Sequence, residues 1–400
     1  MFKRNKKIRR PHQENPSRRI NKKKTEIKID KFLLGTVIVL LIFGLVFLFS
    51  ASLVTAHSSK GDAYFYVKKQ ILALVLGLIF LFILSRFDYT RFKKFSLFFL
   101  IISFVSLVLV FIPGIRAEHG TSRSWIIIFN HSFQVAEALK LFLILYLAAW
   151  VEIRKDDLKK FSTGLLPFLL VISLIGILLL LQPDFGTFLL VFIIAMSIYY
   201  VAGGNMKQLV VLFIILSIAF SFFYSRAQRS DNSGLVRSYQ INRIKCLQDP
   251  DFDKDSCYQV NQSLIAVGSG GLLGRGLGNS RQKFNYLPEV WADSIFPVIA
   301  EEIGFLGASL LILVYFYIFV KGIMIAKRAP DMYGRALATG ISVWLFFQAF
   351  LNISGMINLI PMTGVPLPFV SAGGTSLMIL LIAFGILLNI DAQGRALVKK

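Results

Sequence analysis

Residues 33–54 read LLGTVIVLLIFGLVFLFSASLV and contain no charged side chain. A helix of that length rises about 33 Å, enough to cross the roughly 30 Å hydrocarbon core of a bilayer. Nine more apolar blocks follow, near 70–86, 95–113, 136–152, 164–182, 186–203, 206–225, 296–320, 336–358 and 374–391. The chain has 400 residues, 56% hydrophobic and only 16% charged, and this composition excludes a water-soluble fold. The reading is an all-α, polytopic membrane protein with about ten transmembrane helices over 32–391. A basic tail over 1–31, expected to be disordered, precedes this domain, and a short tail over 392–400 follows it.

The net charge of +22 resembles a nucleic-acid signature until its placement is considered. Thirteen of the 44 Lys and Arg fall in 1–31, where Phe2 is the one aromatic residue that could stack a base. Anionic headgroups are the better match for this tail, and no nucleic-acid partner is expected. Ten spans put both termini on one side. With the N-terminus cytoplasmic, 29 of the 44 basic residues lie inside, whereas the short outer loops hold only Lys60, Lys68, Lys69, Arg116 and Arg123. The stretch 226–295 then forms one large extracytoplasmic loop between helices seven and eight. The first span is longer than a signal-peptide apolar region and is expected to stay as an anchor.

That loop contains a helical pattern around Tyr239 to Ile244, a second from Tyr258 to Val267, and a glycine-rich turn. Both cysteines of the chain, Cys246 and Cys257, lie there. A disulfide is the expected state outside the cytoplasm, with two free thiols as the alternative. The glycine-rich run Gly268 to Gly278 lacks the Lys-Ser/Thr of a nucleotide-binding loop. Its amides could cradle a phosphate beside Arg275, Arg281 and Lys283, or form a turn with solvated charges. The four histidines are not spaced as metal ligands, so no metal site is read from them.

Acids at bilayer depth carry more information, because an unpaired carboxylate in hydrocarbon is costly. Glu137 and Lys140 open the fourth span at i, i+3, on one helix face. Asp184 lies in the break Gln182-Pro183-Asp184 between two spans, and Glu301 and Glu302 fall in the first turns of the eighth. Asp293 stands just before that span, at the outer mouth of the bundle, where a carboxylate meets both water and a lipid-borne substrate.

Several segments together carry a resemblance. The run Tyr286-Leu287-Pro288-Glu289 through Asp293-Ser294-Ile295-Phe296 to Glu301-Glu302-Ile303-Gly304-Phe305 is similar to the signature of the SEDS family (shape, elongation, division and sporulation). So are Gln182 through Thr187, Arg123-Ser124-Trp125, Gln134 through Glu137 to Lys140, Arg243 with Asp249-Pro250, Gln262-Ser263, and Pro366 through Ser371 with Gly373-Gly374. The match covers 32 to about 391, and Ser280 through Tyr286 is nearer the family's cell-division member than its elongation member. Three places depart from the family pattern: Gln134-Val135-Ala136-Glu137, Ser371-Ala372-Gly373-Gly374, and Val290-Trp291-Ala292, which lacks the histidine common there.

The resemblance implies a peptidoglycan glycosyltransferase of the bacterial cytoplasmic membrane, acting at the division septum and polymerising lipid II onto undecaprenyl-pyrophosphate-linked glycan. Asp293 stands at the family's catalytic-aspartate position and is the expected general base. Arg123, Arg243, Arg275, Arg281 and Lys283 are candidates for the pyrophosphate. Glu137, Lys140, Asp184, Gln262, Ser263, Glu302 and Ser371 are candidate supporting polar residues. A divalent cation, Mg or Mn, could share the pyrophosphate charge, although no ligand cluster is visible. The implied partners are a class B penicillin-binding protein (a transpeptidase) and other divisome proteins. Two readings from other classes compete: a lipid II flippase or transporter, and a non-catalytic division scaffold.

Overall fold

The computed structural model describes residues 29–112, 125–128, 131–212, 214 and 238–398. Helix α1 (Lys31–Lys60) begins where the Asp30 carboxylate accepts from the Phe32 and Leu33 amides, and it ends at Gly61 in a left-handed conformation, φ 69°. Next come α2 (Phe65–Arg86) and a 3₁₀ turn (Tyr89–Phe95) that leads into α3 (Ser96–Leu109). A hairpin of β1 (Trp125–Ile128) and β2 (His131–Gln134), with Trp125 opposite Gln134, precedes α4 (Val135–Ile153). The apolar-run reading did not anticipate this hairpin, whose strands are too short to register as a block. A π turn (Phe161–Leu165) opens α5 (Leu166–Leu181), and α6 (Phe185–Val201) follows. The loop helices are α7 (Ser238–Gln248) and α8 (Tyr258–Ser269). The last three spans are α9 (Ile295–Arg328), α10 (Met332–Met356) and α11 (Gly374–Val398).

Nine of the ten apolar blocks therefore carry a helix. The seventh block is helical over 206–212, and nearly all of the rest of it lies outside the described residues, as do Arg123 and almost all of the basic tail. Seven helical segments among the described residues are long and apolar enough to cross a membrane. Helix α6 is shorter, at 17 residues, and α4 carries Glu137, Lys140 and Glu152. Helix α11 continues past 391 as far as Val398.

Helices α10 and α11 form the interior, with α10 packed on α9, α6 and α4, and α11 lying along α2. Close approach of α2 and α11 depends on glycine. A Cβ on Gly77 would lie 2.5 Å from Leu381 Cδ1, and one on Gly385 would lie 2.8 Å from the Leu81 carbonyl. One end of the bundle is fixed by Asp30, whose carboxylate is paired with Arg395 of α11 and approached by Lys321 of α9 at 3.9 Å.

Near the other end, α9 breaks. Gly304 has φ 67° and ψ −172°, so Phe305 and Leu306 cannot donate to the Glu301 and Glu302 carbonyls as a helix requires. The glycine-rich turn replaces both bonds. Phe305 and Leu306 donate to the carbonyls of Gly271 and Leu272, at 2.9 and 3.2 Å, while Arg275 and Gly276 donate to the Glu301 and Glu302 carbonyls, both at 3.0 Å. Of the two readings of the glycine run, a phosphate nest or a turn, the bonds favour the turn: the Gly274, Arg275 and Gly276 amides already have protein acceptors.

Glu137 and Lys140 form the ion pair that their spacing suggested, at 2.5 Å and 1% exposed each. Lys140 Nζ also donates to Gln348 Oε1 of α10 at 2.6 Å and lies 5.0 Å from the Trp344 ring. Replacing Glu137 with Gln, or Lys140 with Met, should each cost about 3–5 kcal/mol by leaving a buried charge uncompensated. The double replacement should cost much less than the two losses together in a thermal melt in detergent, whereas simple additivity would mean the residues are uncoupled.

Cys246 and Cys257 are joined by a disulfide, with Cα atoms 5.4 Å apart. Its closed loop is short, so it should contribute about 2–3 kcal/mol. In denatured, unreduced protein neither thiol should take up an alkylating reagent, and both should do so after reduction.

Candidate active site

Asp293 ends a tight turn over 289–294 that leads into α9. The Ala292 and Ser294 amides donate to the Glu289 carbonyl, at 2.9 and 3.3 Å, and Glu289 itself has φ 51°. Four parts of the fold hold this turn. Asn352 of α10 uses both amide hydrogens, donating to the Asp293 carbonyl at 2.7 Å and to the Val365 carbonyl at 2.8 Å. Gln259 of α8 donates to the Ser294 hydroxyl at 2.9 Å. Trp291 stacks on Tyr66 of α2, with centroids 4.8 Å apart, and its carbonyl accepts from the Ala372 amide at 2.7 Å. The 361–366 segment approaches from behind, so that a Cβ on Gly364 would lie 3.8 Å from Asp293 Oδ2.

The Asp293 side chain is half-buried, and its Oδ1 has no hydrogen-bond partner among the described residues. Two further buried atoms beside it, Thr363 Oγ1 and Asn352 Oδ1, are in the same condition. Polar atoms left open in one place suit an external polar molecule better than a packing core. Burial pushes the Asp293 carboxyl above the usual carboxylate range, opposed mainly by the positive charge of Arg243 on α7. Glu289 is raised as well, first by burial and then by the charge of Asp293. The Arg243 guanidinium is anchored by donating to the Met362 carbonyl.

The structure brings together only part of the expected set. Arg243 is near enough for its charge to act on the Asp293 carboxyl. Lys283 is withdrawn, since its ammonium donates to Glu302 at 3.0 Å, to the Gly278 carbonyl at 2.6 Å and to the Ser50 hydroxyl at 3.0 Å, with its side chain 6% exposed. A pyrophosphate would have to displace a buried carboxylate to reach it, so Lys283 is corrected from ligand candidate to structural ion pair. Arg275 lies 3.5 Å from the Glu301 carboxylate, which also accepts from the Ser280 hydroxyl at 2.5 Å and from the Arg281 and Gln282 amides. Arg281 is exposed on that loop, and Arg123 lies outside the described residues.

Three of the seven supporting residues bond to local backbone, and three more, Glu137, Lys140 and Glu302, are held in ion pairs. Asp184 caps α6 by accepting from the Thr187 amide at 3.0 Å. Ser263 donates to the Gln259 carbonyl of its own helix, and Gln262 beside it is half-buried. The Ser371 hydroxyl accepts from the Leu367 amide at 2.8 Å and closes the turn before α11. Among the described residues no three His, Cys, Asp or Glu side chains come together to hold a metal ion. Sequence reasoning missed Gln259, Gln348 and Asn352. The signal for the last two was present, as amides at i, i+4 in an otherwise apolar span. Gln348 accepts from Lys140 and from the Trp344 indole and donates to the Pro366 carbonyl, so the α4 ion pair and the Asp293 turn hang on successive turns of one helix.

Known proteins resemble this chain along nearly its whole length. Stage V sporulation protein E of Bacillus subtilis is 38% identical over 369 residues, covering 92% of this chain and 98% of that protein. The probable peptidoglycan glycosyltransferase FtsW of the same organism is 37% identical over 366 residues, covering 90% of each. A chain from a solved structure concerned with polymerization and crosslinking by a peptidoglycan synthase complex shares the fold, with a TM-score of 0.74, 24% identity and coverage of 92% of this chain and 99% of that one. The cell cycle protein family FtsW/RodA/SpoVE matches residues 30–396, so the motifs noted above as SEDS-like are its own and this multi-pass membrane protein belongs to that family.

Proposed function

We propose that the chain is a peptidoglycan glycosyltransferase that polymerises lipid II during cell division, with Asp293 as the general base. The observation that carries this reading is the raised, half-buried Asp293 carboxyl, whose Oδ1 has no hydrogen-bond partner among the described residues and on which the charge of Arg243 acts. In the reaction the sugar 4-hydroxyl of one lipid-linked disaccharide attacks the anomeric carbon of the growing glycan. A C–O bond forms there as the bond to undecaprenyl pyrophosphate breaks, and the hydroxyl proton passes to Asp293. A base needs an open oxygen and a pKa drawn toward the working pH, and burial supplies the second. The leaving pyrophosphate gathers negative charge and needs fixed cations. Arg243 is the cation whose charge acts on the carboxylate, with Arg281 the exposed reserve on the adjoining loop. Glutamates restrain Arg275 and Lys283, whose part is to hold the loop. Among the described residues no cluster of ligands would hold a divalent cation, which if bound with the substrate would supply positive charge to the pyrophosphate.

The same reading gives the setting. The termini and the loop at 154–160 face the cytoplasm, and 226–295 faces outward, at the septum, beside a class B penicillin-binding protein that crosslinks the product. The placement of basic residues supports this orientation. A probe at residue 250 should therefore be labelled from outside intact cells, and labelling from the cytoplasmic side alone would reverse the topology.

Replacing Asp293 with Asn should lower lipid II polymerisation by purified protein about 100- to 10,000-fold while leaving abundance and thermal stability near the parent's. A flippase or scaffold would show no such turnover to lose. Polymerisation near the parent rate by an equally abundant Asp293→Asn protein would sink the mechanism. The pH profile adds a sign. Asp293 works deprotonated and its pKa is raised, so activity should fall on acidification at a pH above the usual ~4 of a carboxylate. Arg243→Gln removes the main charge favouring the ionised form, so this acidic limb should move to still higher pH.

A further inference from the structure

We infer that residues 270–277, although part of the large loop, form a re-entrant hairpin whose leucines sit among the acyl chains of the leaflet on Asp293's side. Leu272, Leu273 and Leu277 are 69%, 79% and 61% exposed. The turn that carries them is bonded to α9 where the Gly271 and Leu272 carbonyls accept from the Phe305 and Leu306 amides; Phe305 and Leu306 are themselves 64% and 57% exposed, and the leucines so extend the outward face that α9 continues with Leu310 and Leu313. An apolar surface continuous with a membrane-crossing face, at the same depth, shares its solvent.

The depth follows from two helices that start from a common level. Asp30 and Lys321 approach each other at one end of the bundle. From Lys321, Phe305 lies about 24 Å along α9 at 1.5 Å per residue, inside a hydrocarbon core roughly 30 Å thick. From Asp30, Ser50 lies about 30 Å along α1 by the same rise. Ser50 donates to Glu302 at 2.6 Å, which puts the Lys283–Glu302 pair at the interface and the Phe305–Leu306 pairing one step beneath it.

Irregular backbone survives at that depth only if its polar groups are satisfied by protein. The α9 break does this through the four bonds made by Phe305, Leu306, Arg275 and Gly276. Contact is so close that a Cβ on Gly274 would lie 2.2 Å from the Glu302 carbonyl oxygen. The hairpin's one charge is also answered: Arg275 Nε donates to the Ser269 carbonyl at 3.2 Å and its guanidinium faces Glu301. Which leaflet is involved rests on the proposed orientation, whereas the depth does not.

The test uses full-length protein, one copy per nanodisc of phosphatidylethanolamine and phosphatidylglycerol, carrying a nitroxide on Leu273→Cys. The two native cysteines are already bridged. Leu313→Cys on lipid-facing α9 and Ser58→Cys at the exposed end of α1 serve as references. The ratio of oxygen collisions to collisions with a water-soluble nickel complex should be several-fold higher at 273 than at 58 and close to that at 313. Leu277→Cys, read the same way, should agree and guards against a local effect of one substitution. A ratio at both positions equal to that at 58 would place the hairpin in water and overturn the inference. Low collision rates with both reagents would overturn it too, by showing that protein covers the leucines.

Discussion

Four backbone hydrogen bonds between the Gly304 break and the glycine-rich turn hold the reactive end of this molecule together. Hydrocarbon allows no loose amide or carbonyl, so a helix broken at that depth must hand its groups to another segment with matching geometry. The turn matches because glycine alone fits there: Gly304 lies at φ 67° and Gly274 at φ 82°, and a Cβ on either would lie 2.2 Å from opposing backbone. Once this contact forms, Glu301 and Glu302 point at residues 280–283 and collect the Ser280 hydroxyl, two amides and the Lys283 ammonium. The chain from there to Asp293 is ten residues of turns entering α9 at a fixed level.

Polar side chains within the spans serve the same end from the opposite direction. Gln348 and Asn352 lie one turn apart on the most enclosed face of α10, and both give hydrogens to carbonyls of the 365–366 segment. Asn352 reaches past that segment to Asp293, and Gln348 reaches back to Lys140. Buried amides are costly unless answered, and where they are answered they fix geometry that apolar packing would leave free to slide. A carboxylate proposed to accept a proton at one position benefits from such fixing. The backbone on both sides of Asp293 is held while its Oδ1 is left open.

The cationic residues divide by what faces them. Lys140, Lys283 and Arg275 each meet a glutamate and are thereby neutralised for the interior, and the charge of Arg243 acts on Asp293. Desolvation and attraction act on that aspartate in opposite directions, and desolvation dominates. A carboxyl so placed is less acidic than one in water and therefore a better proton acceptor near neutrality.

Apolar run length alone located the membrane helices, because the hydrocarbon thickness dictates it and each helix satisfies its own backbone. The disulfide was legible because only two cysteines exist and both fall in one loop. The Glu137–Lys140 pair was legible because helical spacing puts i and i+3 on one face. Asp293 could be singled out by its position before a span and by the motif around it. The sequence could not show which basic residues are tied to glutamates, since Arg243, Arg275, Arg281 and Lys283 look alike until their neighbours are known. Nor could it show that the glycine run pairs with a broken helix instead of cradling an anion, or that Asn352, 59 positions along the chain, holds the Asp293 backbone. Hydropathy and helical period act over a few turns and can be read from the chain itself. Whether a charge is answered or an amide is occupied depends on contacts between segments far apart in sequence, and only the tertiary structure decided those.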